Sequence, residues 1–342
     1  MSPLKVFANP QALARGWYWA LPARELRRGD KRELSIFGHA LVLYRGQSGQ
    51  VHCIDAYCPH MGAHLKEGRV EGEDLRCAFH GWKFTGTGRC AQIPCSSAQR
   101  KPQDIAPRKS FLVAERYGMI WLHSDPMATL SSDPLPEFKA LQGRKVVVEV
   151  DTQETRNCHP TLILGGGVDE EHFLFVHEGT TRNTGPLEFR FEELSPAVIR
   201  FWNQAPISGK SLKTRILSWV YRGVLKYEVT YWHASTALAE LGPPMLPLYS
   251  IFAYRPTPEG KTEGLNIYVT ERRGGPLGAL ISRLALYLTR KILTRGGGED
   301  RVIQNSIRFN PSPYAFDNEP FRAFVDYAER QPLSTFARSR SP

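Results

Sequence analysis

The sequence is poor in the features that usually declare a class at once. Six cysteines in 342 residues are too few for a disulfide scaffold. The opening, MSPLKVFANPQALARGWYW, has no continuous apolar h-region of the kind a signal peptide needs. No internal repeat and no low-complexity tract is present, so neither a repeat architecture nor a disordered chain is expected. No basic run reaches five residues, although 44 Lys and Arg outnumber 34 Asp and Glu and leave a net charge of +10. Charge scattered in this way is a solvated basic surface and argues against a nucleic-acid partner; an acidic protein is the specific partner it suits. Together these absences predict reduced thiols and a cytoplasmic location, where cysteine is free to hold metal.

What is present is an ordinary globular composition, 42% apolar and 23% charged, in a chain long enough for two domains. From Glu33 to about Asp125, short apolar runs alternate with Gly-containing turns: RELSIFG and HALVLYRG around Gly38, then QVHCIDAY and FLVAERYGMIWLH. This predicts an all-β first domain over 1–125. The segment 126–138, rich in Pro, Ser and Asp, reads as a linker. Over 139–342 a run of strands with helices before and after them predicts an α+β domain, a curved antiparallel sheet wrapped around a helix.

The longest apolar stretch, Leu277 to Leu293, is interrupted by Arg283, Arg290 and Lys291, which argues against a membrane span. Its Leu277, Leu280, Ile281, Leu284 and Leu288 recur at helical spacing, so a buried amphipathic helix is expected over 277–293. The competing reading is a helix lying on a membrane surface. Membrane contact is not expected.

The chemistry concentrates in CPHMGAHLKEGRVEGEDLRCAFHGW, residues 58 to 82. Cys58 and His60 form one pair; sixteen residues later Cys77 and His80 form another. Structural zinc accepts two Cys and two His, but its usual pattern sets cysteine beside cysteine and histidine beside histidine. Here each loop offers one thiolate and one imidazole. That suits a [2Fe-2S] cluster in which two thiolates hold one iron and two neutral imidazoles the other, an exchange that raises the reduction potential. His64, Cys53, Cys90, Cys95 and Cys158 fall outside the pattern and read as packing residues.

A second set stands downstream in VDEEHFLFVHEG: Asp169, His172 and His177. Two imidazoles and a carboxylate leave open positions on a ferrous ion, which oxygen activation requires. Histidines five apart are about 140° apart on a regular α-helix, so a shared metal needs the helix to end or bulge between them.

The two loops resemble the Rieske motif. With the second set and the order of elements, the chain is similar to the oxygenase (α) subunits of Rieske non-heme iron oxygenases over about residues 15 to 330. That resemblance implies a Rieske [2Fe-2S] domain followed by a helix-grip catalytic domain. It implies cluster ligands Cys58, His60, Cys77 and His80, and mononuclear Fe(II) ligands His172 and His177. It further implies a carboxylate as third iron ligand, for which GGGEDRVIQ offers Asp300 in preference to Glu299, with a helix N-cap as the competing role for that acidic pair. Asp169 matches the family's bridging carboxylate, which links a cluster histidine of one subunit to an iron histidine of the next. An electron would pass from His80 through Asp169 to His172.

The resemblance further implies a homotrimer, O2 and a small-molecule substrate. Electrons would come ultimately from NAD(P)H through a separate ferredoxin or ferredoxin reductase. Its reactions are monooxygenation, dioxygenation, demethylation or desaturation, here on a bulky, mostly apolar molecule. Trp202, Tyr221, Tyr231 and Trp232 are candidate cavity aromatics, of which strand alternation lets Tyr231 or Trp232 point inward, not both. One departure stands out: many members carry asparagine three residues before the bridging aspartate, where this chain has Gly166 within Gly165–Gly167. The competing classes are an electron-transfer protein without mononuclear iron and a zinc-stabilised binding module.

Overall fold

The computed structural model describes residues 4–10, 12–36, 38–94, 100–176, 188–207, 212–241, 247–257, 259–310 and 316–334. The chain divides into two compact units, one of Arg15–Leu135 with Ser334–Pro342, the other of Met1–Ala14 with Pro136–Leu333. This division departs from 1–125, 126–138 and 139–342 in two places. The N-terminal segment belongs to the larger unit because the backbone N–H groups of Val6 and Phe7 donate to Glu329, and Phe7 packs edge-on against Phe321, centroids 5.6 Å apart. The expected linker is largely part of the smaller unit. Arg15 pairs with Asp125 and with buried Asp133, and the Trp17 indole donates to the Asp133 carbonyl.

The smaller unit holds three antiparallel sheets. One runs β1 (Trp17–Pro22), β10 (Met119–His123), β9 (Val113–Arg116); the second runs β2 (Lys31–Ile36), β3 (His39–Arg45), β4 (Val51–Asp55). The third runs β5 (Arg69–Glu71), β6 (Asp74–Arg76), β7 (Lys83–Phe84), β8 (Cys90–Gln92). Between β9 and β10 the turn residues Tyr117 and Gly118 both have positive φ, 51° and 71°, the twist that suits a two-residue hairpin. The core of this unit joins Val42, Tyr44, Leu65, Leu75, Trp82 and Phe84, and the two cysteines Cys58 and Cys77 are members of it.

The larger unit is built on an eight-stranded antiparallel sheet. Its order is β11 (Val146–Val150), β18 (Thr262–Glu271), β17 (Leu248–Pro256), β16 (Thr236–Leu241), β15 (Val224–Trp232), β14 (Val198–Pro206), β13 (Glu188–Ser195). β12 (Glu154–Arg156) pairs with the start of β18. Alternation puts Phe201, Val229, Tyr231 and Ala239 on one face, where they pack with Leu164, Val168 and the terminal helix Glu319–Arg330 through Phe321, Phe324 and Tyr327. A sheet folded over a helix is thus the α+β architecture expected from the sequence.

The helix predicted over 277–293 runs from Gly275 to Ser306, and the opposite face is the buried one. Leu286 is fully buried against Tyr268 and Leu248, while Leu277, Leu280, Ile281, Leu284 and Leu288 are exposed. Polar anchors decide this. Ser282 donates to the Glu271 carbonyl and accepts from the Arg273 N–H, and Arg290 holds Asp151 at 2.6 Å, so the leucine stripe is turned outward. No helix of the described residues is long and apolar enough to cross a membrane.

Candidate metal centres

The two loops of the smaller unit are folded alike. Cys58 donates its N–H to the Ala63 carbonyl at 2.9 Å and Cys77 to the Trp82 carbonyl at 2.8 Å, each five residues on. Each cysteine carbonyl accepts from a glycine four residues on, Gly62 at 2.9 Å and Gly81 at 3.1 Å. Both glycines have φ of +72°, which a residue with a Cβ adopts only with strain. The glycine four places after each cysteine is thus a sequence signal of the loop's turn.

These loops sort the ligands by depth. Cys58 and Cys77 are each 3% exposed, whereas His60 is exposed and His80 half-buried. The His60 and His80 rings lie 4.6 Å apart, and His60 stacks on Trp82 at 4.6 Å with 5° between the planes. Burial pushes the Cys58 thiol up to about 11 while the N–H groups of His60 and Met61 donate to its sulfur and pull the other way; Cys77 is its hydrogen-bonding neighbour. A bound iron would take Cys58 and Cys77 as thiolates, and the N–H groups of His60 and Met61 would then stabilise the charge on Cys58. Among the described residues no three His, Cys, Asp or Glu side chains close on one metal position. A pair of thiols inside and a pair of imidazoles outside fit a two-iron cluster and do not form the single tetrahedron of the zinc alternative.

In the larger unit, Pro160–Gly165 forms a short helix, Gly166–Val168 continues it as a tighter turn, and Asp169 opens a second helix, Glu170–Phe175. Asp169 caps that helix, its Oδ1 accepting from the His172 N–H at 3.2 Å. The helix ends at Phe175, before His177, which lies outside the described residues. The glycines serve close packing. A Cβ on Gly165 would press Phe321 at 2.9 Å, and one on Gly167 would sit 2.7 Å from Tyr231 Oη, the hydroxyl that donates to the Leu164 carbonyl. A Cβ on Gly166 would meet only the His172 ring, at 3.7 Å.

His172 Nε2 and Asp300 Oδ1 lie 3.0 Å apart. Two ligands sharing an ion at bonds of about 2.1 Å, cis to each other, stand about 3 Å apart, so this pair fits one metal position. Glu299 is exposed and Asp300 half-buried. Both lie inside the long helix rather than at an N-cap. The amide contact that Gly166 lacks comes from elsewhere: Asn318 Nδ2 lies 3.5 Å from Asp169 Oδ1. Asn318 caps the terminal helix through Phe321, a role its position before Glu319-Pro320 signals.

Of the four cavity aromatics, Tyr231 faces the core and packs on Phe324 at 4.6 Å. Trp202 lies on the opposite face, donating to Glu228 with Arg200 over its ring, and Trp232 shares that face by alternation. Tyr221 is half-buried. Tyr227, absent from that set, is close to the glycine run and to Phe173, and desolvation drives its phenol far above the usual tyrosine range.

A Rieske [2Fe-2S] domain matches residues 16–108. Among curated relatives, a probable 3-ketosteroid-9-alpha-monooxygenase oxygenase component of Rhodococcus rhodochrous is 30% identical over 246 residues, 70% of this chain and 58% of that protein. The cholesterol 7-desaturase nvd of Bombyx mori is 27% identical over 93% of this chain and 69% of its own length. The chain spans about half the length of the first curated relatives it matches. The Pseudomonas putida CBB5 NdmA QL mutant with caffeine superposes with a TM-score of 0.68 at 18% identity, covering 92% of this chain and 88% of that one, which shows the fold. With paired Cys-His loops on one unit and a sheet folded over a helix in the other, the chain carries a Rieske [2Fe-2S] domain and is similar over most of its length to oxygenase components of the Rieske non-heme iron type.

Proposed function

We propose that this chain is the oxygenase component of a multi-protein system that hydroxylates, demethylates or desaturates a bulky, mostly apolar molecule. Its cofactors are those of the family, a [2Fe-2S] cluster and a mononuclear iron. Cys58, Cys77, His60 and His80 hold the first; His172, His177 and Asp300 hold the second. A separate ferredoxin or reductase supplies electrons from NAD(P)H, and three copies form a ring so that Asp169 bridges to a neighbour's cluster histidine. The relatives' names speak of a ketosteroid and of cholesterol, which supports a polycyclic apolar substrate here. Six cysteines in 342 residues, two of them cluster ligands in this reading, suit a reducing, cytoplasmic setting.

When bound, the two groups supply one-electron storage and oxygen activation; the chain's own residues supply position. Asp169 Oδ1 is occupied by the His172 N–H and by Asn318, which orients the second carboxylate oxygen. That oxygen can accept an imidazole N–H, fixing the ring's tautomer and raising its basicity. Tyr231, by holding Leu164, keeps the glycine run against the sheet and so sets the height of His172. The phenol of Tyr227 stays protonated at any working pH and offers a hydrogen bond beside that run.

The observation that carries this reading is the convergence of His172 and Asp300 in a chain that also bears the paired Cys-His loops. The test is anaerobic reconstitution, then oxygen uptake with reductase, NAD(P)H and a panel of steroid ketones and sterols. A rhombic electron-spin signal, iron beyond that in the cluster and substrate-dependent uptake are expected. Cluster iron alone, with no uptake on any substrate, would select the electron-transfer alternative.

A further inference from the structure

Two helices of the larger unit present apolar stripes to solvent. On Gly275–Ser306, Leu277, Leu280, Ile281, Leu284 and Leu288 fall within about 100° of arc, with Tyr287 beside them and Leu277 71% exposed. On Leu212–Val220, Leu212, Ile216 and Trp219 stand at i, i+4 and i+7, with Trp219 78% exposed. Single exposed leucines are ordinary, but contiguous stripes of this size mark a binding surface.

Charge decides what binds. From Arg272 to Gly298 there are six Lys and Arg and no Asp or Glu; from Ala205 to Tyr227 there are five and none. These stretches total 50 residues, which at the chain's overall content of 34 acids in 342 would hold about five. A second copy docked on this surface would set cations against cations around the apolar seam. An anionic bilayer takes both parts: leucines enter the acyl boundary while basic side chains reach the head groups. Arg283 and Lys291 are placed for this at the sides and end of the stripe, with the Lys291 ammonium 5.4 Å over the Tyr287 ring, and an exposed tryptophan is the residue that settles at a membrane interface.

We infer that helices Gly275–Ser306 and Leu212–Val220 dock the larger unit on an anionic lipid surface, lying in the interface plane. Docking would set the oxygenase beside a reservoir of dissolved apolar molecules. It rests on surface side chains alone, so its failure leaves the proposed iron chemistry untouched.

The test is co-sedimentation of the full-length holoprotein with phosphatidylglycerol–phosphatidylcholine vesicles and with phosphatidylcholine alone. Pelleting with the first, release by salt and little pelleting with the second are expected. Leu280→Glu with Leu284→Glu should lower vesicle affinity more than about tenfold, and Arg283→Gln and Lys291→Gln about fivefold each. Circular dichroism should not change, because all four side chains are exposed. Three results would overturn the inference. One is no vesicle binding; another is binding that the leucine variants leave intact. The third is lipid-free self-association that Leu284→Glu abolishes in a protein that ignores vesicles, which would assign the stripe to a second copy.

Discussion

Nε2 of His172 and Oδ1 of Asp300 meet at 3.0 Å although the two residues come from different helices and lie 128 positions apart. The imidazole comes from a six-residue helix opened by Asp169, the carboxylate from the interior of a 32-residue helix. Each is held by its own surroundings: the glycine run behind His172, and Arg301 and Asn305 tying the long helix to Glu154 at the start of β12 and to Asn157 just after it.

Asp300→Ala should therefore release the mononuclear iron while the cluster stays. Losing a direct ligand should weaken iron binding by more than about 100-fold, above the range seen for outer contacts. Glu299→Ala, at an exposed position one residue away, should keep the iron. Iron analysis beside the cluster's visible absorption reads both; iron retained in Asp300→Ala would remove this residue from the site.

Asp169 caps a helix and, in the proposed reading, also bridges to a neighbouring subunit, and substitution can separate the two. Asparagine still caps a helix, so Asp169→Asn should leave stability nearly unchanged, and both metals should remain bound. It cannot serve as a charged bridge, so turnover should fall at least about tenfold. Asp169→Ala should add about 1 kcal/mol of destabilisation from the lost cap. Normal turnover in Asp169→Asn would end the bridging role.

Asn318 can be tested in the same way. Asn318→Asp keeps the cap on the terminal helix but sets a second carboxylate near Asp169 Oδ1, where the amide now lies at 3.5 Å. Thermal stability should hold while turnover drops, because a like charge replaces the amide beside the Asp169 carboxylate. Unchanged turnover would leave Asn318 as a helix cap only.

The cluster loops were legible because all four ligands lie within 23 residues and their spacing is their geometry. The second centre was legible only in part. The contact of His172 with Asp300 depends on a helix that continues through Gly296–Gly298, where local propensity argues for an end. Tertiary contacts of Arg301 and Asn305 override that preference. β16, TALAEL, reads as helix former and is a strand because β15 and β17 pair with it on both sides. Periodicity found the two-faced helix at 277–293 but not which face turns inward, a choice made by Ser282 and Arg290.

His159 should make stability depend on pH. It is buried, its Nδ1 accepts from the Thr161 N–H, and desolvation lowers its pKa from 6.5 to about 4. The folded state thus binds this proton less readily than the unfolded one. Its contribution is complete above pH 6.5 and is lost as pH falls toward about 4, a change of about 3 kcal/mol at full extent. In His159→Gln the larger unit's unfolding midpoint should vary less across that window; an equal slope in both proteins would exclude His159 as the source.

The two glycine runs look alike in sequence and should respond oppositely to alanine. At Gly167 a Cβ would stand 2.7 Å from Tyr231 Oη, whose hydroxyl is committed to the Leu164 carbonyl inside the core. Neither partner can retreat, so Gly167→Ala should cost about 1–3 kcal/mol and displace His172, lowering iron affinity as well. At Gly298 the same methyl meets nothing within 4 Å among the described residues and sits in a helix interior, where alanine is favoured over glycine by about 1 kcal/mol. Gly298→Ala should therefore raise the unfolding midpoint and keep the iron. Denaturant unfolding and iron content measured on both variants give a two-by-two outcome. If both destabilise, the helix needs its glycine for a reason that packing does not supply; if neither does, the close approach of Gly167 to Tyr231 is not what holds the iron loop on the sheet.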